Sequence, residues 1–130
     1  MKKMILMMSL FVLMLTLGAL DVFYTTRFYS NTLDNLYKAD ISVQENRKNL
    51  NNSETIALCQ KANDDWEKGK TRLMMLVNHN VVRYVDEKFV ALLEQVNGNN
   101  EPDATVSVKV LISYIKDLRD ENYPYLRNIL

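Results

Sequence analysis

His79 is the only histidine in this 130-residue chain and Cys59 the only cysteine. A histidine can bind metal, accept a proton or sense pH. No second His or Cys stands at ligand spacing from His79, and zinc and haem sites draw on more than one side chain. Between Asn78 and Asn80, His79 reads as a turn residue that hydrogen-bonds a helix end. Cys59 has no partner for an intrachain bridge, which excludes a disulfide-stapled scaffold. Its apolar helical neighbours mark it as a small buried residue, with an intermolecular bridge as the alternative.

Three further patterns imitate sites. Gly69-Lys70-Thr71 has the ending of a phosphate-binding loop, but Asp64 stands where the leading Gly belongs and no strand precedes it. Asp64, Asp65 and Glu67 do not follow a calcium-loop spacing and read as a solvated helix face. Asp117, Asp120 and Glu121, with Lys116 and Arg119, read as surface ion pairs worth a few tenths of a kcal/mol each. Met4, Met7, Met8 and Met14 lie in one apolar run, and Met74 and Met75 lie mid-helix, so packing or lipid contact explains them better than copper. No paired carboxylates or Ser-centred elbow complete a mechanism. The chain is therefore expected to have no catalytic, cofactor-binding or metal-ligating residues, and not to be an enzyme.

The element that must position everything else is Met4 to Leu20, which carries no charge. As a helix this run would extend roughly 25 Å, close to the ~30 Å hydrocarbon core of a bilayer. Lys2 and Lys3 precede it and Asp21 closes it; Val22, Phe23, Tyr24, Phe28 and Tyr29 follow, rings suited to the headgroup layer. A cleaved secretory signal is the alternative. It lacks a cleavage site: a cut after Ala19 puts Leu17 at the −3 position, and a cut after Leu20 puts Leu at −1. The run is read as an uncleaved anchor, residues 1–20, tethering a domain of residues 21–130. Lys2, Lys3 and the terminal amine favour the cytoplasm, although Arg27 on the other flank weakens that bias. The expected location is the cell membrane, single-pass, with the N-terminus cytoplasmic and the domain extracytoplasmic.

Acidic and basic residues balance at 16 each. Without Lys2 and Lys3, about 14 basic side chains face 16 acidic ones, a net of about −2. That argues against nucleic acid and against strong attachment to an anionic lipid surface.

Beyond the anchor the apolar positions recur at helical spacing. Tyr29, Leu33, Leu36, Val43 and Leu50 form one stripe, interrupted by Asp40 and Arg47, on a helix that continues outward from the span to about Leu50. Asn49 to Ser53 reads as a turn, with Asn51 and Glu54 as a capping box. A second helix over 53–78 turns Ile56, Cys59, Ala62, Trp66, Leu73 and Leu76 inward. Gly69 within it costs about 1 kcal/mol relative to Ala unless a neighbour must come close. A third helix carries Val82, Val85, Phe89, Leu92, Leu93 and Val96 and ends with Gly98 as a left-handed cap. Thr105 to Lys109 alternates like a strand, but Ala104, Val108, Leu111, Ile115 and Leu118 make a longer helical stripe, so a helix is expected over 103–122. Pro124 should end it, leaving Tyr125 to Leu130 as a short apolar tail. The fold expected is all-α: a transmembrane helix continuing into an antiparallel up-and-down bundle of three to four helices.

The Lys-rich start with one span, Trp66 followed by Leu73 and Val77, His79 opening an amphipathic helix, and the closing Asn128-Ile129-Leu130 together resemble a family. It is domain-of-unknown-function family 4363, small bacterial membrane proteins found mostly in Firmicutes. The family usually has an acidic residue beside the His, where this chain has Asn78 and Asn80. The resemblance implies the location and the fold, and a polytopic membrane protein as partner; it implies no activity. The functions left are an interaction module docking on a membrane partner or on a second copy, and a sensor with a small ligand held near Trp66, Phe89 and Tyr114. A cleaved N-terminal segment would make the chain a secreted helical protein.

Overall fold

The computed structural model describes residues 1–75 and 77–122. It contains four helices and, among the described residues, no strand: α1 (Lys2–Glu45), α2 (Ser53–Leu73), α3 (His79–Asn97) and α4 (Glu101–Asn122). Cross-helix pairs fix the directions. Phe28 meets Gly69 while Ser42 meets Thr55, so α2 runs back along α1. Ser107 bonds Gln95 and Tyr114 packs on Tyr84, so α4 runs back along α3. Lys109 reaches Asp40 and Arg47 reaches Glu101, which closes α4 onto α1. Among the described residues the diagonal pairs, α1 with α3 and α2 with α4, do not approach each other. The architecture is the expected all-α up-and-down bundle, with four staves.

α1 is one unbroken helix of 44 residues with two characters. Every residue from Met1 to Tyr24 is exposed. Burial starts at Thr25 and recurs at Tyr29, Leu33, Leu36, Ala39 and Val43. The expected stripe is therefore the core-facing side, and Leu50, beyond the helix end, closes the bottom of the core fully buried. α1 stops at Glu45, short of the expected Leu50, because Asn46 caps it: its backbone N–H and its side-chain Nδ2 both donate to the Ser42 carbonyl. Arg47 is exposed in the following turn, and Asp40 lies at the edge of the α1–α4 seam. Within the apolar half, the hydroxyls of Ser9 and Thr16 donate to the carbonyls of Leu6 and Val12, both at 2.8 Å. Their polarity is thereby returned to the helix's own backbone. This half is long and apolar enough to cross a membrane, and none of its most apolar stretch is buried in the bundle.

Trp66, Tyr29 and Phe89 are the largest fully buried side chains. The indole of Trp66 stacks on Phe89 with centroids 6.3 Å apart, and its Nε1–H donates to Asp86 Oδ1 at 2.6 Å. A buried Trp needs such a partner for its one donor. Cys59 is fully buried, and loss of solvent pushes its thiol up to about 11. It is therefore a core residue rather than a nucleophile.

The ends of the helices depart from expectation by small steps. Asn52, not Asn51, caps α2: its Oδ1 accepts from the Thr55 N–H at 2.9 Å, and its own backbone is extended. α2 ends at Leu73 rather than near Asn78, since Asn78 must leave helical geometry to cap α3 through the Asn80 N–H. Gly98 is not left-handed; Asn99 is, with φ of 55°. The Asn99 N–H bonds the Val96 carbonyl and the Asn100 N–H bonds the Gln95 carbonyl, the paired pattern of a Schellman end. Asn can occupy that region and adds what Gly cannot: its Oδ1 accepts from the Leu50 N–H at 2.8 Å, tying two turns together. α4 begins at Glu101, two residues early, because Pro102 in the first turn has no N–H to leave unpaired. Leu76, Pro124 and the tail from Tyr125 to Leu130 lie outside the described residues.

Candidate functional site

The residues singled out from the sequence do not converge. His79 is the first residue of α3 and is exposed. Asp64 pairs with Gln60, Glu67 with Lys70, and Asp65 accepts from Asn35 across the α1–α2 seam. Among the described residues no three His, Cys, Asp or Glu side chains gather as a metal site would require. Lys70, of the Gly69-Lys70-Thr71 triplet, lies on the helical body of α2 between Glu67 at 2.8 Å and Asp86 at 3.3 Å. The Glu67 hydrogen bond, foremost, and Asp86 hold its ammonium above the usual lysine range. Arg119 pairs with Asp120, and Lys116 lies over the Tyr37 ring. Met4, Met7, Met8 and Met14 are exposed on the apolar half of α1; Met74 packs against the core and Met75 is exposed. Trp66 and Phe89 are buried together, whereas Tyr114 stands at the surface against Tyr84.

The structure instead opens a cleft of about 380 Å³ between α1 and α2, just past the end of the uncharged run. Gly69 creates it. A Cβ on Gly69 would collide with the Phe28 ring at Cδ2, Cε2 and Cγ, so only a glycine lets the ring lie against the α2 backbone. Phe28 in turn packs on Trp66 with centroids 5.8 Å apart, joining the cleft floor to the core. The helical cost of Gly69 thus has its reason in a close neighbour.

Around that floor stand Tyr24, Arg27, Asn31, Asp65, Lys68 and Arg72. Arg72 lies over the Tyr24 ring at 5.4 Å and 3.8 Å from the Asp21 carboxylate. Asp65 is engaged by Asn35, which turns part of its charge into the seam. Arg27 and Lys68 are exposed and make no ion pair among the described residues. Three cations and one carboxylate beside an aromatic wall suit the holding of an anion. Only Gly69 signalled this place in the sequence.

Curated proteins and solved structures offer no match to the chain. A family model does match, from just past Asp21 through the whole bundle, leaving the uncharged run outside the matched region. With residues 23–129 matched, the chain belongs to the family described as a domain of unknown function, DUF4363.

Proposed function

We propose that the protein is a single-pass, membrane-anchored interaction module without catalytic activity. Its apolar N-terminal half-helix sits in the bilayer, its N-terminus is cytoplasmic, and its bundle stands outside and docks on a membrane protein or on a second copy. The observation that carries this reading is α1 itself. One helix holds an apolar half that stays unburied among the described residues and a half whose buried face builds the core. A helix satisfies its own backbone in lipid, so the change of surroundings needs no break. Lys2 and Lys3 before the run support the orientation.

Protease added to intact cells tests the placement, with crosslinking to identify what lies beside the bundle. The expected result is a bundle digested from outside, an N-terminal fragment retained in the membrane, and a crosslinked membrane protein or dimer. A bundle protected in intact cells and digested after lysis would place it in the cytosol. Recovery of a shortened, soluble chain would establish a cleaved signal. A second reading, an extracytoplasmic small-ligand sensor, is favoured by the α1–α2 cleft.

A further inference from the structure

We propose that the cleft between α1 and α2 binds the headgroup of an anionic phospholipid of the bilayer in which α1 is anchored. The inference rests on the anchored reading above. Depth comes first. At about 1.5 Å per residue, Tyr24 lies roughly 4.5 Å and Arg27 roughly 9 Å past Asp21 along the helix axis. The headgroup layer on each side of a bilayer is about 5 to 8 Å thick. Arg72 meets both Asp21 and Tyr24, which brings the end of α2 down to the same level. Lys68 lies one turn above it, on the same side.

Charge comes second. The cleft presents Arg27, Lys68 and Arg72 against Asp65, with Asp21 at its lower lip. Asp65 already accepts from Asn35, and Asp21 faces Arg72, so Arg27 and Lys68 are the uncommitted charges. A phosphodiester meets them with two acceptor oxygens, and arginine matches that geometry. A choline headgroup would bring a cation against three others. Shape comes third. Tyr24 and Phe28 give the cleft an apolar wall where a lipid's glycerol and first methylenes would run. The balanced charge of the whole chain hides this cluster, because what is built here is a place for one headgroup rather than a basic surface.

The experiment uses the full chain in a neutral detergent, titrated calorimetrically with dioctanoyl phosphatidylglycerol, dioctanoyl phosphatidylcholine or inorganic phosphate. The glycerol lipid is expected to bind at least about tenfold more tightly than the choline lipid, and the R27Q/K68Q variant to lose about tenfold of that affinity. R27K/K68R should retain most of it. Both side chains are exposed and make no ion pair among the described residues, so an unchanged thermal melt confirms that each variant is folded. Equal affinity for the two lipids, or a variant that binds like the parent, overturns the proposal. Displacement of the lipid by inorganic phosphate at similar concentration overturns it too, assigning the cleft to a soluble anion. Flotation with neutral vesicles reads the anchor separately. A chain that binds the short-chain lipid but does not float fails the anchored reading, and one that floats without headgroup preference fails this one.

Discussion

The two halves of α1 share a backbone and differ in what surrounds them. From Met4 to Leu20 the helix is uncharged, apolar on all sides and exposed; from Thr25 onward the buried residues recur along one face. Hydrophobicity alone does not separate them, since Leu13 and Leu36 are the same residue. Periodicity does. A face that repeats every third or fourth residue expects a protein neighbour, and a surface apolar all round expects lipid. The helix can run through the change because its backbone amides bond within the helix in either half.

The largest test of this contrast is to remove bulk from each half. Trp66→Ala takes away the side chain on which the packed half rests and leaves Asp86 without its indole partner. It is expected to cost the bundle about 4 kcal/mol in denaturant unfolding of the full chain in detergent. Leu13→Ala should leave that transition within about 0.5 kcal/mol of the parent. Comparable losses from both would mean that the first half also packs on protein, and the division of α1 would fail.

A smaller effect is expected at the joint between the halves. Gly69→Ala would drive its new methyl into Phe28, at a cost of about 2 kcal/mol. Adding Phe28→Leu should return part of the loss, so that the double variant is less destabilised than the two single changes added together. Strict additivity would show that the ring does not lie on the glycine as described.

The smallest effect lies at the opposite end of the bundle. Asn99→Gly keeps the left-handed turn and removes the acceptor for the Leu50 N–H, an expected loss of about 1 kcal/mol in thermal unfolding. Asn99→Ala should lose about 1 kcal/mol more, since it also strains the backbone. Parity between the Gly variant and the parent would show that the bond to Leu50 adds nothing to the packed half.

What could be read in advance followed the range of the interaction. The stripes of α1 and α4 are legible because each is written within one helix, and Thr105 to Lys109 is helical because Leu111, Ile115 and Leu118 extend its buried face beyond the short alternation. Caps slipped by a residue where neighbours were chemically equivalent. Asn51 and Asn52 carry the same side chain, and only the backbone at Asn52 decides which one reaches Thr55. Gly98 was the obvious left-handed residue, but the bond from Leu50, far away in sequence, favours Asn99. The cleft was least legible. It needs Phe28 and Gly69 to touch, and no pattern within either helix states that contact.

The unbroken course of α1 also settles a rotational question. A stiff rod gripped along its packed half by two neighbours, α2 and α4, cannot spin freely in its apolar half. Gly18 precedes Leu36 by about five helical turns, so the two share one azimuth. The bundle therefore sets the compass heading of the whole rod, and with it the direction in which the small flank at Gly18 is turned.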